Sequence, residues 1–383
     1  MITDLEYTWV DSDSLLTQMV VVLEKESLLG IDTEFMRTDT YYPKVGLIQI
    51  SSEKGIYLID PLSVSSLEPL RELLYRDDLE AIILHSCSED LEVFKTLWKD
   101  VPTKVFDTQI AAAFLNIDRQ PSLQKLLSLL MDIDIPKDET RSNWLQRPLT
   151  VGQLKYAALD VAYLLPVYRL LVERLREQSR AEWVHEECGL LIDKYSASID
   201  FDNIYKSIGN AWKLRPKQLA ALREIAAWRD RTAIEKNRPK GHVLKDASLY
   251  EIAERLPKDI RSLGGCENMS PGQVKRFSDD LLPLVAKAVA LKPEEWPAAI
   301  KKPFSRSHKA LAKKLKDVVE ERSAALDLPM ERIASRKLLE RYAKAKLENK
   351  ALPKELQGWR QSALVNALDR VFDSVASDEL TSS

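Results

Sequence analysis

Two acids separated by one residue, Asp32 and Glu34, stand at the end of the apolar run Leu29–Phe35. Alternate side chains of an extended segment share a face, so both carboxylates point at one place. Carboxylates pressed together raise each other's pKa unless a cation joins them. An isolated Asp-x-Glu is more often a strand running out into solvent, so the pair needs company. Asp90 follows the apolar run Ala81–His85 and falls in the first turn of a helical pattern, Ser88–Leu97. A helix N-terminus favours negative charge, and a plain helix-start acid would look the same. Tyr156 and Asp160 are four residues apart, which puts a phenol and a carboxylate on one helix face. Asp160 lies between Leu159 and Val161, and an acid in so apolar a stretch is expected to be paired or to hold a cation. Hard divalent ions take oxygen ligands, and two of them about 3.5–4 Å apart can activate a water and steady the leaving oxygen of a phosphodiester. A phenol nearby can orient that water while keeping its own proton.

Such a constellation needs a rigid scaffold. The apolar runs Leu29–Phe35, Gly46–Ser51, Ile56–Ile59, Ala81–His85 and Val105–Asp107 are bounded by polar or turn residues and read as strands. Three strands in quick succession, then strands alternating with helical patterns, predict a mixed sheet with helices packed on it. Leu123–Leu130 reads as a helix, and the segment from Gln153 into Arg176 as one long helix kinked by Pro166. Thr150 and Gln153 have the spacing of a capping box at its start. From Trp212 onward the apolar spacing is helical throughout: Lys217–Arg231, Ser248–Leu256, Ser270–Leu291, Lys309–Leu326, Met330–Lys346 and Gln357–Val375. Pro239, Val243, Leu249 and Ala253 recur as Pro329, Ile333, Leu339 and Ala343 at a constant offset of 90, which predicts two related helical modules. The proline-bearing stretch Lys292–Ser307 separates them, and Tyr195–Asn210 is the expected junction with the first half.

Taken together, Gly30–Phe35, His85–Phe94 and Tyr156–Val161 resemble the three exonuclease motifs of the DEDD superfamily, tyrosine subtype, and within it the ribonuclease D group. Arg37–Pro43, Gly46–Gln49 and Ser142–Thr150 add to the likeness, which covers most of residues 28–170. The second half resembles the paired HRDC (helicase and ribonuclease D C-terminal) modules of the same family. The resemblance implies an α/β ribonuclease H-like catalytic domain, a mixed sheet flanked by helices, over residues 1–210, then two all-α HRDC-type domains over 211–292 and 305–378. It implies a 3′→5′ exoribonuclease that releases 5′-monophosphates from precursor tRNA and other small structured RNAs, with two divalent metal ions, Mg²⁺ or Mn²⁺. Under it, Asp32 would bridge both ions, Glu34 and Asp160 would complete the site that generates the nucleophile, and Asp90 would hold the second ion. Tyr156 would orient the attacking water. His85 stands where many members carry asparagine and is read as a satisfied strand-end histidine, not a ligand. A 3′-end enzyme also needs a wedge between the last bases. Phe35, Met36, Tyr41 and Trp144 are candidates, base stacking being worth roughly 1–3 kcal/mol per base. Arg147, inside the Ser142–Thr150 likeness, is a candidate substrate contact. A DNA-preferring exonuclease and a non-catalytic RNA-binding scaffold on the same fold are the alternatives.

Composition fits that frame. A chain of 383 residues suggests two or three domains. It has no long uncharged apolar run of the kind a membrane helix needs. Met1–Val10 carries Asp4 and Glu6 and lacks a secretory pattern, so a cytoplasmic location is the expectation. Cys87, Cys188 and Cys266 are far apart and match no zinc spacing, which leaves them as reduced thiols. The net charge of −3 hides a division: residues 1–210 hold 21 Lys+Arg against 35 Asp+Glu, and residues 211–383 hold 35 against 24. A basic half is the footprint of a phosphate-backbone partner, and an RNA partner without an obligate protein partner is the expectation. Lys213, Arg215, Lys217, Arg223, Arg229, Arg231, Lys236, Arg238 and Lys240 are the expected phosphate grip of the first module. Lys301, Lys302, Arg306, Lys309, Lys313, Lys314 and Lys316 are that of the second.

Overall fold

The first half builds a six-stranded mixed sheet in a computed structural model that describes residues 5–135, 142–300 and 309–381. Its elements run β1 (Thr8–Val10), α1 (Asp13–Leu23), β2 (Leu28–Met36), β3 (Lys44–Ser52), β4 (Gly55–Ile59), α2 (Glu68–Leu74), β5 (Ala81–Leu84), α3 (Ser88–Trp98) and β6 (Val105–Asp107). They continue with α4 (Thr108–Phe114), α5 (Leu123–Met131), α6 (Val151–Ala162), α7 (Leu164–Glu177) and α8 (Ala181–Ser196). Strand order is β1-β4-β3-β2-β5-β6. The close-spaced strands β2, β3 and β4 pair antiparallel, as short connections require, while β2, β5 and β6 pair parallel through helical crossovers. The sheet expected from the sequence is present, with one strand more. β1, only three residues long, has no readable period and is held by parallel pairing with β4.

The two faces of β2 bury different things. Leu29, Ile31, Ile48, Ile50 and Ile59 form one core with apolar residues of α1, α2 and α3. On the other face, Leu47 and Leu58 pack with Trp144, Leu149, Ala157 and Ala158. The segment before α6 crosses β3 so closely that a Cβ on Gly46 would lie 2.5 Å from the Trp144 carbonyl oxygen, so only glycine fits there. Thr150 caps α6 with the expected box: its hydroxyl accepts from the Gln153 N–H, and the Gln153 side chain accepts from the Thr150 N–H. The predicted single helix over 153–176 is two helices divided at Tyr163. Pro166, third residue of α7, has no N–H to donate to the carbonyl of Ala162, so it sits in a first turn, where no such donor is needed.

The second half is helical: α9 (Pro216–Glu235), α10 (Lys240–Val243), α11 (Asp246–Arg255), α12 (Ile260–Gly264) and α13 (Pro271–Ala290), then α14 (Lys309–Leu326), α15 (Met330–Ile333), α16 (Arg336–Leu347) and α17 (Asn366–Thr381). The 90-residue repeat aligns α10 with α15 and α11 with α16. The chain divides into two compact units, one of Met1–Met36, Pro43–Ala197 and Arg306–Ser383, the other of Arg37–Tyr42 and Ser198–Ser305. The two modules, read from sequence as successive domains, therefore differ in where they belong, because the second shares a unit with the sheet.

Within that first unit the second module is bolted to α8 and α4. Trp183 and Trp359 stack with centroids 4.8 Å apart, and the Phe114 ring meets Trp359 edge-on at 5.3 Å. Arg360, 5% exposed, ion-pairs with Glu187, and its Nη2 donates to the Arg332 carbonyl. The Trp359 N–H donates to Glu186 at 2.8 Å, which brings the backbone of Gly358 against that carboxylate. Gly358 has φ +61°, and a Cβ there would overlap Glu186.

In the other unit, Leu222, Ile225, Leu249, Ile252, Phe277 and Leu281 make the core of the first module. Asn237, with φ 45°, accepts through Oδ1 from the N–H groups of Tyr41 and Tyr42, at 3.1 and 3.0 Å. Among the described residues, no helix is long and apolar enough to cross a membrane.

Candidate active site

β2 delivers Asp32 and Glu34 on the face that α6 covers, and α6 delivers Asp160. One carboxylate oxygen from each of the three lies within 4.8 Å of the others. Two features put them there. The alternation of β2 aims Asp32 and Glu34 alike, and the pairing of β2 with β3 slips between Glu34 and Phe35, a bulge of the kind that re-aims side chains at a strand end. Asp90, in the first turn of α3, lies outside the three. It is 6% exposed and accepts a 2.6 Å hydrogen bond from the Thr33 hydroxyl. Thr33 thus holds Asp90 beside the strand that carries the other two acids.

The electrostatics of the cluster are one-sided. Burial drives Glu34 up to about 10, and the charges of Asp32, Asp160 and Asp90 push the same way. Asp32 is raised by burial and by Asp160, and Asp90 by burial and by Asp32. Burial lifts Asp160 to about 7 even though the Tyr156 hydroxyl donates to it. Burial and the neighbouring acids also hold the Tyr156 phenol far above its ordinary range, so it stays a donor. Among the described residues, no lysine or arginine enters the electrostatics of these four acids. A set of oxygen donors with no cationic side chain among them suits a hard divalent ion, which would restore all four acids to their ionised form.

The remaining sequence candidates fall in different places. Phe35 and Met36 are half-buried at the end of β2, Phe35 packing on the sheet core. Tyr41, also half-buried, belongs to the unit of the first helical module and packs edge-on against Tyr42 at 4.9 Å. Trp144 is a correction. It is 2% exposed, packed over Gly46 and 6.1 Å from the Tyr156 ring, so it braces the tyrosine and offers no face to a base. Arg147 is a second correction. Its guanidinium donates twice to Asp60, at 2.6 and 2.8 Å, and to the carbonyls of Gly46, Trp144 and Gln146. It clamps the segment before α6 onto β3 and β4 and has no donor left for RNA. His85 is satisfied, Nδ1 at 2.8 Å from the Thr108 hydroxyl and Nε2 at 3.0 Å from the Pro121 carbonyl. The sequence reading missed Thr33 and Asp60. Asp60 had no visible signal, but Thr33 lies inside Asp-Thr-Glu and is a polar β-branched residue facing the apolar side.

Of the basic residues, Arg229 is buried, paired with Asp230 and Asp246, and Lys240 also pairs with Asp230, so these two build the module. Lys213, Arg215, Arg231, Lys236 and Arg238 are exposed. In the second module Lys313 and Lys314 are exposed and Lys316 pairs with Glu320. Lys301, Lys302 and Arg306 lie outside the described residues.

This arrangement matches known proteins along almost its whole length. Family models match residues 7–176 as a 3′-5′ exonuclease, 218–285 as an HRDC domain and 307–368 as a ribonuclease D C-terminal HRDC domain. Ribonuclease D of Pseudomonas paraeruginosa is 40% identical over 374 residues, 96% of this chain and 99% of that one. The chain belongs to the ribonuclease D family. Ribonuclease D of Escherichia coli K12 is 31% identical over 373 residues, again 96% of this chain and 99% of its own length. The crystal structure of Escherichia coli RNase D, described as an exoribonuclease involved in structured RNA processing, superposes with a TM-score of 0.91 over 96% of this chain and 99% of that one, at 29% identity. The catalytic core of RRP6 from Trypanosoma brucei matches with a TM-score of 0.57 and 25% identity, covering 76% of this chain and 82% of its own. The ribonuclease D architecture, one exonuclease domain followed by two HRDC modules, is therefore that of this chain.

Proposed function

We propose that the chain removes nucleotides one at a time from RNA 3′ ends, releasing 5′-monophosphates, with precursor tRNA and other small structured RNAs as its substrates. The observation that carries this reading is the convergence of half-buried Asp32 and Glu34 with Asp160 in one place, with Tyr156 bonded to Asp160. Divalent ions held there would polarise a water and the scissile phosphate. Asp32, Glu34 and Asp160 supply the oxygens for such ions, and Asp90, fixed by Thr33, adds a fourth carboxylate. Tyr156 keeps its proton at every working pH and, tied to Asp160, is placed to orient a water at the edge of the cluster. Phe35 and Met36, half-exposed beyond Glu34, are the side chains we assign to contact the last bases. The exposed lysines and arginines of the first module carry the excess charge expected of a phosphate grip, so binding should weaken steeply with salt.

A time course on RNA labelled at its 5′ end, with Mg²⁺ or Mn²⁺ in parallel and a DNA strand of the same sequence beside it, tests the reading. The expected result is a ladder shortening by single nucleotides on RNA, abolished by Asp32→Asn with RNA affinity retained. Internal cleavage, or turnover that survives Asp32→Asn or chelation, would refute it.

A further inference from the structure

Among the described residues, two buried side chains on the catalytic face carry polar atoms without a hydrogen-bond partner, the Trp144 indole N–H, which is only a donor, and the Gln49 amide, which needs both an acceptor and a donor. Gln49 is 0% exposed, and neither its amide nitrogen nor its amide oxygen makes a hydrogen bond. Buried amides are nearly always paired, so an orphan calls for a reason. Register supplies one. Gln49 is the direct cross-strand partner of Asp32 in the antiparallel β2–β3 pair, so the two side chains rise side by side from one face of the sheet. Its other cross-strand neighbour, on β4, is Leu58, which offers no polar group. Ser51, next along that face of β3, already donates to the Val161 carbonyl at 2.7 Å. Ala157 and Ala158 of α6, packed with Leu47 and Leu58, add only methyl groups. Asp32 is thus the acceptor that strand pairing sets beside this amide.

We propose that Gln49 is a positioning residue for Asp32: with the acid ionised, the Gln49 amide donates to one carboxylate oxygen and fixes the rotamer in which the other faces Glu34 and Asp160. The amide fits this task better than a charged side chain would. It holds the carboxylate without neutralising it, so the negative charge that recruits a divalent ion is kept. Burial shields the contact from water, and the flanking leucines keep the amide from turning to another acceptor. This inference rests on the acidic cluster being a divalent-ion site.

The test is Mn²⁺ binding by calorimetry, without RNA, on wild type, Asp32→Asn, Gln49→Met and Gln49→Asn. Methionine keeps the length and removes the polar atoms; asparagine keeps the amide and draws it back by one carbon. Each Gln49 variant is expected to bind Mn²⁺ about tenfold more weakly, with kcat reduced by a similar factor, KM for RNA unchanged and the melting temperature of the metal-free protein equal to or above wild type. A folded Gln49 variant that binds Mn²⁺ as wild type does overturns the proposal, and so does a variant whose only change is in melting temperature. If Gln49→Met fails to fold, Gln49→Asn decides by the same criterion. Wild type that binds no Mn²⁺ removes the site reading and this inference together, whereas wild type that loses binding on Asp32→Asn but not on the Gln49 changes removes this inference alone.

Discussion

Replacing Asp160 by asparagine is expected to stabilise the metal-free protein at alkaline pH and to reverse sign when Mg²⁺ is added. Burial raises the Asp160 carboxyl from an ordinary 3.8 to about 7. A carboxyl whose folded pKa lies above its unfolded value favours the fold fully below about pH 4. That advantage shrinks as pH rises and is gone above about pH 7, where the buried charge opposes folding. The difference of about three units corresponds to roughly 4 kcal/mol as an upper value, since each unit is 1.36 kcal/mol and the cluster shares its protons among several acids. Asparagine carries no such charge. In EDTA, Asp160→Asn should therefore match wild type at pH 4.5 and exceed it by about 2–4 kcal/mol at pH 8, read from urea unfolding followed by fluorescence. With millimolar Mg²⁺ at pH 8, wild type gains the free energy of ion binding and the variant does not, so the order inverts. Identical pH dependence of wild type and variant in EDTA would show that the cluster is not strained by its own charge. Failure of Mg²⁺ to favour wild type would show that the strain is not relieved by a divalent ion.

Thr33→Val, which keeps the shape and removes the hydroxyl, should leave Asp90 without its 2.6 Å donor and lower kcat about tenfold with KM unchanged, in steady-state assays on a short RNA. Arg147→Ala should destabilise the protein by about 3–5 kcal/mol by stranding the buried Asp60, with loss of activity that tracks unfolding and not RNA affinity. Burial would raise the Asp60 carboxyl, but Arg147 holds it below the usual carboxylate range, so this ion pair stabilises above about pH 4 and its contribution fades as acid protonates Asp60; chemical denaturation between pH 3 and 7 should show the wild-type slope and lose it in the variant. Gly358→Ala should open the seam on α8 through its φ of +61° and its overlap with Glu186, and limited proteolysis should then release the C-terminal module before the sheet is cut.

The placement of the acids was legible where the local pattern and the fold agree. Asp32 and Glu34 share a strand face, and Tyr156 and Asp160 share a helix face, so one backbone period each places them. The capping box at Thr150 is equally local. What failed to show was set by tertiary contact. Trp144 and Arg147 have the types of an RNA contact, yet Gly46 lets their segment lie on the sheet, where burial commits Trp144 and the Asp60 ion pair commits Arg147 to structural use. The break at Tyr163 depends on which turn of a helix Pro166 occupies, and apolar spacing runs straight through it. β1 is too short to have a period and exists because β4 offers an edge. The seam of Trp183, Trp359 and Arg360 had no sequence signal at all, since its two sides, α8 and the Trp359–Arg360 pair, lie more than 170 residues apart.

That seam bears on how the chain can be taken apart. The internal repeat invites removal of both modules together by stopping the chain after the first half, but such a fragment would lay bare Phe114 and Trp183 and leave Glu187 without Arg360. It would be prone to self-association, and any drop in its RNA binding would report damage as much as a lost contact. The informative deletion is an internal one, excising the helices of the first module and rejoining the ends with a flexible linker. One copy of the duplicated unit has become masonry for its host, while the other carries the Asn237 side chain that holds the Tyr41 and Tyr42 backbone, so the linker that replaces it must leave Asn237 in place.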